Sequence, residues 1–140
     1  MSYDLMVFLP ASAPADREEF MDWYDEQTEW DEGHSYHDPI VTAPSLSDLF
    51  KELVETFPAM NGPYAKSDLP TDETTLADYS IGKHVIYICF SWPKAEQAYA
   101  ELHRLAAKHK VGFFDVSSDT GAVWLPNADG QLKIVHEQQE

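Results

Sequence analysis

The hexapeptide Val85–Phe90 (Val-Ile-Tyr-Ile-Cys-Phe) has a β-branched or aromatic side chain at every position but Cys89, and neither of its faces is polar. A strand that is apolar on both sides belongs in the middle of a sheet, with helix over at least one face. The run Leu5 to Leu9 repeats the pattern. It reads as a second central strand over residues 3–9, ended by Pro10. These two segments set the frame into which everything else has to fit.

Three amphipathic helices follow from spacing. Residues 16–30 read as the first, with Asp16 as N-cap and Glu19 as its capping-box partner. Phe20, Trp23, Tyr24, Gln27 and Trp30 share one side of it, and Glu18, Asp22, Asp25, Glu29 and Glu32 the other. Residues 46–57 read as the second helix, capped by Ser45, striped by Leu46, Leu49, Phe50, Leu53, Val54 and Phe57, and stopped by Pro58. The third begins near Pro93 and buries Ala95, Ala98, Tyr99, Leu102, Leu105, Ala106 and His109. Residues 79–81 read as a short strand, 111–117 and 122–125 as further strands, and 131–136 as a weaker edge strand. The segments 31–44 and 58–78 are loops, and a connection as long as the second either works or wanders. The expected fold class is α+β. It is a two-layer sandwich in which one mostly antiparallel sheet of four to five strands is covered by three helices, loosely ferredoxin-like. Residues 1–140 form one domain, with a polar tail from about residue 137 that should fray.

Composition narrows the function classes. Cys89 is the only cysteine, so a disulfide scaffold is excluded. The start, Met1-Ser2-Tyr3-Asp4, lacks the basic opening of a secretory leader, and no apolar run approaches the ~20 residues of a membrane span. The expectation is a soluble cytoplasmic protein. Net charge is −16 and unevenly placed. Residues 1–80 hold 18 acids against 3 bases, and residues 81–140 hold 7 against 6. Such a surface repels nucleic acid and anionic membrane and attracts cationic partners.

The acids concentrate between Asp16 and Asp38, where ten stand beside one base, Arg17. Like-charge pairs four apart, such as Glu18 with Asp22 and Asp25 with Glu29, each cost a helix about 0.2–0.5 kcal/mol. The helix dipole accounts for Asp16, Glu18 and Glu19 but not for acids beyond the first turn. Asp22, Asp25, Glu26, Glu29, Asp31, Glu32 and Asp38 therefore read as a docking face for a cationic protein partner. Against this stands a plain solvated face that keeps the protein soluble.

Other constellations are weaker. His34 and His37, with Asp31, Glu32 and Asp38 nearby, offer metal-type donors in a spacing that matches no established ligand signature. A small metal-binding module or metal-dependent enzyme is the alternative they support. Cys89, His84 and His109 read as structural, and Trp23, Tyr24 and Trp30 face the core. No glycine-rich phosphate loop and no nucleophile elbow occurs, so the expectation is a non-enzymatic protein without a cofactor.

The opening Tyr3-Asp4-Leu5-Met6-Val7-Phe8 resembles that of a group of small bacterial proteins. The segment Val111-Gly112-Phe113-Phe114-Asp115-Val116-Ser117 resembles their closing strand, as the passage from Tyr79 to Lys110 resembles their strand–helix unit. The likeness covers around half the chain, in core segments that carry no functional motif. Some of that group resemble immunity proteins paired with contact-dependent or secreted toxins. The resemblance implies an inhibitor whose acidic stretch meets a basic toxin domain.

Overall fold

The computed structural model describes residues 2–66, 68 and 70–138. Six strands form one open antiparallel sheet: β1 (Tyr3–Phe8), β2 (Asp78–Ile81), β3 (Val85–Phe90), β4 (Gly112–Phe114), β5 (Val123–Pro126) and β6 (Leu132–His136). Three helices accompany them: α1 (Arg17–Gln27), α2 (Pro44–Thr56) and α3 (Ala95–His109). The strand order is β2-β3-β1-β4-β5-β6. As the apolar runs require, β1 is interior, paired with β3 from Tyr3↔Phe90 to Phe8↔Val85 and with β4 from Met6↔Phe114 to Phe8↔Gly112. Because every neighbour is antiparallel, β1 and β2 run parallel with β3 between them. Likewise β3 and β4 run parallel with β1 between them, so two βαβ units interleave.

The layering differs from a two-layer sandwich. Successive side chains of β1 point to opposite faces. Leu5 and Val7 join a core built from Leu46, Leu49, Phe50 and Leu53 of α2 and Ala98, Leu102 and Leu105 of α3. Met6 and Phe8 join a separate core with Phe20 of α1, Val85, Phe114 and Val123. Helices therefore cover both faces, α2 and α3 on one and α1 on the other, and this is why β1 is apolar from Leu5 to Phe8. The sheet also has six strands rather than four to five, since Leu132–His136 pairs with β5, with one irregularity that leaves Val135 without a partner residue there.

The α1 face is held by aromatic edges. Phe20 meets Phe8 at 5.4 Å and Phe114 at 5.3 Å between ring centroids, and Tyr24 meets Phe114 at 5.0 Å, all edge-on. Gly112 makes the β1–β4 pairing possible, because a Cβ built there would enter the Phe8 ring.

Local ends depart from the sequence reading in instructive ways. Asp16 accepts from the Glu19 N–H at 3.1 Å, as an N-cap should. But α1 stops at Gln27, not 30. The Thr28 hydroxyl donates to the Tyr24 carbonyl at 2.9 Å, and Trp30 turns to φ +55°. Ser45 does not cap α2. The helix begins two residues earlier than expected, at Pro44, whose missing N–H suits the first turn. The segment after α2 is anchored rather than loose at its ends. Ala77 donates to the Pro58 carbonyl at 2.9 Å, Met60 donates to Ala77 at 3.0 Å, and the Tyr79 hydroxyl donates to the Phe57 carbonyl at 2.7 Å. Within that connection Ser67 and Leu69 lie outside the described residues, as do Gln139 and Glu140 of the expected tail. Gln138 is tied back, donating its N–H to the Thr120 carbonyl at 2.7 Å. Among the described residues no helix is long and apolar enough to cross a membrane.

His103 packs among Tyr99, Phe113 and Trp124, and burial pulls its imidazole below the ordinary range. His136 is lowered by burial and then by Arg17. A lowered folded value means the unfolded chain takes up the proton first as pH falls past about 6.5. Stability from these two groups is complete above that pH and is lost between it and the lower folded value. His103→Phe should therefore lose less melting temperature than the parent between about pH 7.5 and 5.5, and an equal loss would exclude His103 as a contributor. Gly112→Ala should cost about 1–3 kcal/mol in urea unfolding. Combined with Phe8→Leu it should cost less than the sum of the two single changes, since the added methyl then finds room.

Candidate functional site

The acids of α1 are placed by the aromatic contacts on its other side. Burying Phe20 against Phe8 and Phe114, with Trp23 and Tyr24 beside it, turns Glu18, Glu19, Asp22, Asp25 and Glu26 to solvent. Glu29 and Asp31, just past the helix, are exposed too. Among the described residues, no ion pair involves any of these acids. The nearby base is spent on the backbone instead. Arg17 donates to the Gly121 carbonyl at 2.7 Å and to the Thr120 carbonyl at 3.3 Å, tying the start of α1 to the turn before β5. The ion pairs formed by other bases among the described residues involve other acids: Lys94 pairs with Asp72 at 3.0 Å, Arg104 with Glu101, and Lys108 and His109 with Glu52 at 2.8 Å each. The helix thus presents an uncompensated row of carboxylates on a fixed support.

Two of the residues grouped with that row do something else. Glu32 turns toward the start of β3, where its carboxylate accepts the Lys83 N–H at 3.1 Å and meets His34 Nε2 at 2.6 Å. Asp38 caps a short turn, accepting the Ile40 N–H at 3.0 Å. Together with the Ile81 N–H donating to the Tyr36 carbonyl at 2.7 Å, and Trp30 edge-on to Tyr36 at 5.2 Å, these bonds fasten the loop after α1 to the sheet. Sequence reading missed this clasp because its partners lie some fifty residues away. Ile40 was missed as well. It is 83% exposed on that loop. The apolar pair Ile40-Val41 in a loop outside any predicted element was the available signal.

The histidines are not arranged as ligands. Both His34 nitrogens are engaged, Nε2 by Glu32 and Nδ1 by the Ser35 carbonyl at 2.9 Å. His37 packs against Gly62 instead. Among the described residues no group of three His, Cys, Asp or Glu side chains could hold a metal ion.

A second polar group lies where β1 begins. The Asp4 carboxylate accepts from the Ser2 hydroxyl at 2.6 Å and from the Tyr87 hydroxyl, and the Asp4 N–H donates to Ser117 Oγ at 2.8 Å. Burial, aided by the Asp4 charge, pushes the Cys89 thiol up to about 11. A thiol held so far from ionisation is a poor nucleophile. The arrangement braces the sheet and supplies no evident chemistry.

No family model, no curated protein and no solved structure matches this chain.

The clasp has a direct test. Glu32→Ala should lower stability by about 1–3 kcal/mol and speed hydrogen exchange at the Lys83 amide. Unchanged exchange there would mean the carboxylate holds nothing in solution.

Proposed function

We propose that this protein is a non-enzymatic binding protein of the immunity type, which occludes a basic toxin domain with α1 and the loop that follows it. The observation that carries the reading is the row from Glu18 to Asp31, solvent-facing, without an internal counter-charge and mounted on a rigid helix. Packing leaves such a row unsatisfied at a cost to the helix, and a cationic surface would reverse that cost. Asp22, Asp25, Glu26, Glu29 and Asp31 make the contact. Glu32 and Asp38 shape the loop instead of touching the partner. Ile40, 83% exposed on the same loop, supplies an apolar anchor beside the acidic row. Occlusion suffices for inhibition, so no group transfer or cofactor is invoked. The strand order β4-β1-β3-β2, with α2 and α3 on one face, supports reading the core as loosely ferredoxin-like, with α1 and the β5–β6 hairpin added to it.

Preorganised charge acts first on the rate of encounter. Binding to contact-delivered or secreted toxin domains of strongly basic composition is therefore expected to form fast and to weaken as salt rises. The combined change Asp25→Asn, Glu26→Gln and Glu29→Gln should slow association at least about tenfold at low salt while leaving the melting temperature unchanged or higher. Binding by that variant as fast and as tight as by the parent would overturn the acidic-face reading and leave solubility as the purpose of the charge.

A further inference from the structure

One histidine stands at the junction between the acidic helix and the sheet. The first turn of α1 meets the β5–β6 hairpin there. Arg17 Nη1 donates to the Gly121 carbonyl at 2.7 Å, and Nη2 donates to the Thr120 carbonyl at 3.3 Å. The same Nη1 lies 3.4 Å from Nδ1 of His136, the last residue of β6. The imidazole also meets the Phe20 ring edge-on, with 5.1 Å between centroids. It thus touches two side chains that seat the start of α1. Gly121 has φ +55°, and a Cβ there would lie 3.0 Å from Arg17 Nη2, so the guanidinium is packed closely on the turn. An open cleft of about 550 Å³, bordered also by Met21, Val135, Glu137 and Gln138, adjoins Arg17 and His136. Arg17 has a fitted seat and room to leave it.

A guanidinium stays charged and only donates. Its contact with Nδ1 is favourable only while that nitrogen carries a lone pair. Protonation turns Nδ1 into a donor and sets two cations 3.4 Å apart. The charges around the ring pull in different directions. Arg17 of α1 opposes the proton, Asp16 at the N-cap favours it, and Glu137, next along the chain, acts on Arg17. β5 and the loop before α1 bring Val123, Ala13 and Pro14, which carry no charge. With burial as the largest cause, the balance holds the imidazole below its ordinary range. We propose that His136 is a pH-sensitive latch: neutral, it keeps Arg17 seated on the turn before β5, and protonated, it displaces the guanidinium and frees the first turn of α1. The open form takes up the proton more readily than the seated one, so opening grows as pH falls through about 6.5. The event is local, loosening the support of the acidic row without unfolding either core. Its consequence for a partner rests on the acidic-face reading, whereas the latch itself does not.

Hydrogen exchange of the full chain, read by NMR as protection at the Phe20 to Trp23 amides against the Ile86 and Ile88 amides of β3, tests this. Between about pH 7.5 and about 5.0, protection in α1 should fall at least about threefold relative to β3. His136→Asn places an acceptor that does not titrate near the position of Nδ1 and should abolish that relative fall. It leaves His103 in place, so the difference belongs to His136. Arg17→Gln should raise the pH at which the His136 ring titrates, toward about 6.5. An equal fall in α1 and β3, a relative fall that persists in His136→Asn, or a His136 titration that Arg17→Gln does not move would each overturn the latch. Every arm uses the free chain, so failure here leaves the acidic-face reading standing. Unchanged toxin binding by the α1 charge variant would likewise leave the latch standing.

Discussion

Everything in this molecule depends on β1 having no polar face between Leu5 and Phe8. A pleated strand sends alternate side chains to opposite sides, so such a strand can be stable only if both sides are kept dry. That one requirement calls for helix above and below. It explains why two separate cores exist, one around Leu49 and Phe50 and the other around Phe8 and Phe20. It also explains why α1 is present as a solitary cover on its face. Its inner side is committed to aromatic edges, and only its outer side remains to carry charge.

How much of this could be read from the chain depends on the range of the interactions involved. The positions of β1 and β3 follow from short apolar runs, and α2 follows from a regular stripe, because both signals are local. The Asp16 cap is likewise local, with its partner Glu19 three residues on. Layering is not local. The stripe of α1 says that one side is buried but not which face of the sheet receives it, so the helices could be counted but not assigned to sides. The end of α1 was misplaced because Trp30 fits the helical spacing while its backbone has already left the helix.

The candidate site divides in the same way. Exposure of Glu18, Asp22 and Asp25 was legible, since amphipathic spacing fixes the outer side of a helix once the inner one is known. The roles of Glu32 and Asp38 were not. Glu32 bonds to the Lys83 amide, across a separation that no periodicity reports. Arg17 shows the converse: the lone base in an acidic stretch suggests charge pairing, but its guanidinium serves two backbone carbonyls.

The seal along β2 has a consequence for the protein's life in a cell. Pro58, Met60 and Tyr36 belong to loops, yet they occupy hydrogen-bonding positions that would otherwise face water. A protease cut in the stretch between Met60 and Ala77 would leave the core residues in place while releasing one of these covers. The nicked molecule would then carry exposed strand on two sides instead of one, the condition under which folded proteins polymerise into insoluble material. The fastening of that connection is thus a safeguard against aggregation as much as a contribution to shape.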